Sequence, residues 1–233
     1  MPITYEPITA PGFADLVREL QLPLDTIRWR WQWLGATRRR ASEPRRVVLL
    51  PGYGAGESSL LPMAAYLRGL GHDVSTWGLG RNTGNVEELL AGLPQRLAEL
   101  HGNASSRVSL VGWSLGGYLA REAARDRPEL VDKVITLGSP VIGGPCFTTL
   151  ARWFEASGHD LARVESEVAA RYDRPLDVPV TAIYSKRDGI VAWQACIDHW
   201  SSKVRHIEVA ETHLGMGFAP SVLSLVGREL DGR

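Results

Sequence analysis

Six short aliphatic and β-branched runs recur along this chain, at residues 47–50, 73–77, 108–111, 134–137, 180–184 and 205–209, each with a turn signal nearby. Their length is that of a strand, and near-continuous apolar character marks strands covered on both faces. Between them lie stretches whose apolar residues recur at three and four, at 60–70, 86–101, 115–125, 193–200 and 221–230; that is the helical period. Strands alternating with helices predict an α/β fold, a mainly parallel sheet of about six strands with helices on both faces. Ligand sites in such sheets form beyond the carboxyl ends of the strands, so the chemistry is expected in strand-to-helix loops.

Two segments break the alternation. Residues 1–46 precede the first strand, where Leu16, Leu20, Ile27, Trp31 and Leu34 suggest an arm packing helically onto the domain. Residues 139–178 separate the fourth and fifth strands, far beyond the ordinary connection of about 4–6 residues, and are read as a small helical cap carrying Phe147, Leu150, Trp153 and Phe154 and a second helix from Leu161 to Tyr172. With 233 residues, 44% of them hydrophobic, the chain suits one well-buried domain spanning 1–233.

Charge narrows the partners. Lys plus Arg and Asp plus Glu both total 26, so no global field draws the chain to nucleic acid or an anionic surface. The segment Arg28-Trp29-Arg30-Trp31-Gln32-Trp33, with Arg38 to Arg40 beyond it, could lie on a membrane or a nucleic-acid surface. The plainer reading, tryptophans buried and arginines exposed, is favoured in a chain of zero net charge. No basic leader followed by an apolar stretch opens the sequence, and the expected compartment is the cytoplasm. The two cysteines, Cys146 and Cys196, have neither a C-x-x-C spacing nor a zinc-like histidine partner, and are expected to stay unpaired.

Gly112-Trp113-Ser114-Leu115-Gly116 matches G-x-S-x-G. In a chain with 24 glycines the pattern alone is weak, but a strand precedes it and a good helix former follows. In that setting the glycines let the strand turn sharply and leave Ser114 exposed at a helix N-terminus. A serine that only caps a helix needs no flanking glycines. A serine hydroxyl is a poor nucleophile without a base, and the base needs a third group to fix its tautomer. Of the histidines at 72, 101, 159, 199, 206 and 213, only His213 lies in a loop directly after the last strand. For the acid, Asp188 follows the fifth strand at the corresponding edge; Asp177, Asp198 and Glu211 are the alternatives. Two oxyanion donors are expected from backbone N–H groups, Leu115 after the serine and Tyr53 in the glycine-rich loop after the first strand. No metal or cofactor is required. The second glycine-rich loop, Gly78-Leu79-Gly80-Arg81-Asn82-Thr83-Gly84, could pass for a dinucleotide loop. Against that, Lys133, Lys186 and Lys203 have no tyrosine four residues earlier, and no Gly-Lys-Ser/Thr occurs.

Together these segments, with Leu50-Pro51-Gly52-Tyr53-Gly54, Tyr184-Ser185-Lys186-Arg187-Asp188-Gly189 and Thr212-His213-Leu214-Gly215, resemble the α/β-hydrolase family over roughly residues 45–231, and its small bacterial lipases and esterases in particular. The order Ser, Asp, His is the family's order. Pro51-Gly52 stands where many lipases have His-Gly, which keeps the backbone donor. The resemblance implies a serine hydrolase acting on a small-molecule acyl ester through an acyl-enzyme. Thioester hydrolysis and acyl transfer use the same machinery, and a fold retained only for binding would be expected to lose a catalytic position. Trp113, Phe147, Trp153 and Phe154 are candidates for an apolar acyl pocket, or for plain packing.

Overall fold

The computed structural model describes residues 8–21, 29, 40–101, 107–156, 158 and 160–232. All six expected strands form: β1 (Arg46–Leu50), β2 (Asp73–Thr76), β3 (Val108–Trp113), β4 (Val131–Leu137), β5 (Val180–Tyr184) and β6 (Val204–Glu208). They pair in parallel throughout, in the order β2-β1-β3-β4-β5-β6. The helices are α1 (Phe13–Arg18), α2 (Leu61–Gly69), α3 (Val86–His101), α4 (Leu115–Asp126), α5 (Ala151–Ala156), α6 (Leu161–Ala170), α7 (His213–Met216) and α8 (Pro220–Leu230). Among the described residues no helix is long and apolar enough to cross a membrane.

Side chains alternate across a strand, and this sheet uses both faces. Val47, Leu49, Val111, Ile135 and Ile183 enter one core with Leu67 of α2 and Leu223 and Val226 of α8. Val48, Leu50, Leu110, Val134 and Val180 enter the other, closed by Leu93 and Leu97 of α3 and Leu119 and Ala123 of α4. All six residues of β3 are buried. The chain leaves β1 for β2 on one side and returns to β3 on the other, so the connections diverge between β1 and β3. Such a switch point opens a crevice at the carboxyl edge.

Two expectations need correction. Residues 193–200 do not form a helix. A single 3₁₀ turn, Trp193–Cys196, gives way to extended Ile197, because Asp198 Oδ1 accepts the N–H groups of Trp200 and Ser201 (2.8 and 3.0 Å). A short carboxylate that bonds its own backbone competes with helix continuation. Asp198 is buried, and its other oxygen pairs with the equally buried Arg121 of α4 at 2.5 Å. In the arm, Leu16 and Leu20 face outward, Leu20 being 75% exposed, while Glu19 and Trp29 are the buried residues. Ile27, Trp31, Leu34 and His159, together with Arg28, Arg30, Arg38 and Arg39, lie outside the described residues.

Between β4 and β5 the chain folds into α5 and α6, flanked by 3₁₀ turns. Its far end is tied to α4: Arg171 pairs with Glu122 and Asp126, and Arg174 with Asp126. The Tyr172 hydroxyl donates to the Val141 carbonyl (2.6 Å), and its ring stacks on Trp200. Cys146 and Cys196 are both free thiols.

Asp198→Ala strands the Arg121 guanidinium in the interior. Removing one partner of a buried pair costs about 3–5 kcal/mol, and urea denaturation of the variant is expected to show a loss of that size.

Candidate active site

The turn at Ser114 depends on missing side chains. Its φ of 55° makes it the one non-glycine residue of positive φ among the described residues. A backbone of that kind costs about 1–3 kcal/mol and survives only where packing enforces it. Here a Cβ at Gly112 would strike the backbone of Gly116 and Gly117, one at Gly116 would strike the carbonyls of Leu50 and Pro51, and one at Gly117 would strike Ser139. The first turn of α4 therefore sits directly on β1 and β3. The Ser114 N–H donates to the Leu137 carbonyl (2.8 Å), fixing the bend to β4.

One strand over, register aligns Leu50 with Gly112, which sets Gly52 beside Ser114: a Cβ on Gly52 would lie 3.3 Å from that of Ser114. Among the described residues, neither Tyr53 nor Leu115 commits its backbone N–H to a hydrogen bond. These are the two donors expected for an oxyanion, flanking the serine from β1 and α4. The Tyr53 loop is held by Asn82, which sequence reasoning passed over. Fully buried, Asn82 donates from Nδ2 to the Pro51 carbonyl (2.8 Å) and accepts the Gly84 N–H at Oδ1 (3.1 Å). Its backbone exchanges bonds with Gly54 and Ala55, and Arg81 Nε donates to the Gly54 carbonyl (2.7 Å). The glycine-rich 78–84 segment is thus a brace for the loop that carries Tyr53. A lone Asn among glycines after a strand was the available signal.

Asp188 and His213 meet beyond β5 and β6. His213 Nδ1 lies 2.7 Å from Asp188 Oδ2, and both side chains are buried. The carboxylate's other oxygen accepts the N–H groups of Ile190 and Val191 (2.9 and 2.7 Å), so its direction is set by its own loop. His213 opens α7, whose N-cap Thr212 accepts the Gly215 N–H (3.1 Å). Gly138, just past β4, leaves room under the pair; a Cβ there would come within 3.0 Å of Met216, Asp188 and His213. Burial pulls the imidazole pKa down and is the largest single influence. The Asp188 charge and hydrogen bond, with the Glu19 charge behind them, outweigh it and leave His213 above the ordinary 6.5.

The rival residues have other duties. Glu211 accepts from Ser221 (3.1 Å). Asp177 pairs with Lys203 (3.3 Å). His72 Nδ1 accepts the Arg45 N–H, and His206 Nε2 accepts the Asp198 N–H. The four pocket candidates separate. Trp153 and Phe154 of α5 pack on the Tyr53 ring, with centroids 5.6 and 5.2 Å away. Phe147 joins a small core with Val141, Val191 and Ala192, and its carbonyl accepts the Ala192 N–H (3.0 Å) beside the acid loop. The Trp113 indole is buried against Phe218, and Nε1 donates to the His213 carbonyl (3.2 Å). Placed one residue before the turn, its side chain falls on the face of the sheet that carries α8. A second residue sequence reasoning missed is Glu19, whose buried carboxylate bonds the backbone of both the acid and histidine loops. The outward Leu16 and Leu20 at helical spacing hid it.

The comparisons agree with this architecture. No protein-family model matches the chain. A pimeloyl-[acyl-carrier protein] methyl ester esterase of Edwardsiella ictaluri is 31% identical over 150 residues, 63% of this chain and 53% of that protein. The chain spans about half the length of the curated relatives it matches. Among solved structures, mouse alpha/beta hydrolase domain-containing protein 10 superposes with a TM-score of 0.58 at 19% identity, covering 84% of this chain and 91% of its own. A Bacillus licheniformis lipase gives 0.60 at 15% identity, covering 83% and 96%. The chain has the α/β-hydrolase fold.

Asn82→Ala removes both side-chain bonds and orphans the Gly84 donor. The expected loss is about 1–3 kcal/mol, measured as a shift in the urea midpoint against the intact protein.

Proposed function

We propose that this chain is a serine hydrolase of carboxylic esters. The observation that carries the reading is the buried Asp188–His213 hydrogen bond at the same sheet edge as the strained Ser114 turn. Ser114 Oγ attacks the ester carbonyl while His213 Nε2 takes its proton; Asp188 holds Nδ1–H and stabilises the imidazolium. The N–H groups of Tyr53 and Leu115 receive the oxyanion. His213 then returns the proton to the leaving alcohol, and water, activated by the same imidazole, releases the acid and restores Ser114. Tyr53, Trp153 and Phe154 offer an aromatic wall for an acyl chain. The curated relatives are named for a methyl ester of a carrier-bound acid, which makes small methyl esters the first natural substrates to try.

Hydrolysis of p-nitrophenyl esters of graded chain length, with fluorophosphonate labelling, tests the reading. Ser114→Ala is expected to lose at least about 10⁴-fold in kcat and all labelling. A folded intact protein that neither hydrolyses nor labels would refute it.

His213 must be neutral to act as base, so kcat/KM is expected to rise with pH through its raised pKa, with the midpoint of the acid limb above 6.5. Asp188→Asn is expected to cost about 10⁴-fold in kcat, because the amide selects the wrong tautomer.

A further inference from the structure

The arm reverses the usual pattern of burial. Phe13, Leu16, Val17 and Leu20 are exposed, while the charged Glu19 among them is only 4% exposed. A buried carboxylate is expensive unless hydrogen bonds compensate it, and Glu19 makes three. Oε1 accepts the N–H of Gly189 (2.8 Å) and that of His213 (2.9 Å), and Oε2 accepts the N–H of Leu214 (2.8 Å). Gly189 directly follows Asp188. The two donors at 213 and 214 are first-turn N–H groups of α7, which have no partner within their own helix.

We propose that Glu19 is a positioning residue for the catalytic pair, one carboxylate fastening the acid loop to the histidine loop and so setting the separation of Asp188 and His213. The inference rests on the reading of Ser114, Asp188 and His213 as the hydrolytic triad. Without the tie, the two loops connect to different strands, β5 and β6, and the sheet and the Asp188–His213 bond itself are left to set their mutual position. With it, both are referred to one rigid group. The arm is closely seated: a Cβ on Gly189 would collide with the Asp15 carbonyl, and Trp29 lies 3.5 Å from where a Gly215 Cβ would be. Among the described residues, the following charged groups face or flank His213. Asp188 faces it from the acid loop and Glu19 from the arm; Asp15 and Arg18 of α1 pair with each other (3.0 Å), and Glu211 of its own loop accepts from Ser221. Burial lowers the imidazole's proton affinity, and the Asp188 charge and bond, helped by the Glu19 charge, more than restore it.

Glu19→Gln is the test in the full chain. The amide keeps the shape but loses the charge and sets an N–H₂ against a backbone N–H. A misplacement of the base costs about 10- to 100-fold, so kcat on p-nitrophenyl butyrate is expected to fall by that factor with KM within about threefold of the intact value. The acid limb and the His213 titration, followed by NMR of the imidazole nitrogens, are both expected to move to lower pH. Leu20→Ala, on the exposed side of the same turn, should match the intact protein. If Glu19→Gln does not fold, Gly189→Ala displaces the arm through the Asp15 collision and is expected to give the same loss of kcat. Unchanged kcat and an unchanged His213 titration in the folded variant would overturn the proposal. Should the intact protein show no esterase activity or Ser114 labelling, the hydrolase reading fails. The NMR titration then decides alone, a shift supporting the tie between Glu19 and His213 and no shift overturning it.

Discussion

The close approach of α4 to β1 and β3 underlies everything at the carboxyl edge. Three glycines at 112, 116 and 117 remove the side chains that would hold helix and strands apart, and the resulting contact forces Ser114 into a backbone conformation it would not otherwise adopt. The strain is local and the packing that sustains it is not. β3 is buried along its whole length, and α4 behind it buries every residue from Gly116 to Ala124, including Arg121 and Glu122. These two charges pair with Asp198 and with Arg125 and Arg171. The helix that follows the Ser114 turn is therefore held by ion pairs, of which Arg121–Asp198 and Arg125–Glu122 are buried on both sides and so little screened by solvent.

What the sequence made legible follows from what has a period or a motif. The strands were readable because a strand covered on both faces must be apolar throughout, and Ser114, Asp188 and His213 because their loops carry glycines at fixed offsets after recognisable strands. The helix expected over 193–200 failed on one residue: Asp198 turns its carboxylate onto its own backbone, and periodicity does not register a side chain competing with the main chain. Trp113 neighbours Ser114 in sequence, but as the last residue of β3 it turns its side chain into the core beneath α8.

Asn82 and Glu19 were harder. Each acts by accepting or donating to backbone groups far away in sequence, Asn82 to Pro51 and Glu19 to residues 170 to 195 positions on. Bonds to main chain leave no mark on the partner's identity, so nothing in residues 189, 213 or 214 announces that a carboxylate is required. Burial of a polar group is likewise a three-dimensional property: Glu19 reads as the polar side of an amphipathic turn, yet its apolar neighbours are the ones facing water.

The seat of the arm bears on the order in which this molecule becomes competent. A segment near the start of the chain can dock only once the loops after β5 and β6 exist to receive it. Closing so long a loop costs little more free energy than a shorter one, since each doubling adds about 0.6 kcal/mol, but it must wait for both ends to be in place. During synthesis the sheet can grow from β1 onward while Glu19 has no partner. Locking of the loops at 189 and 213–214 then waits until β6 and the loop after it have been made, so a partly made chain would carry Ser114 already bent and the Asp188 loop still loose.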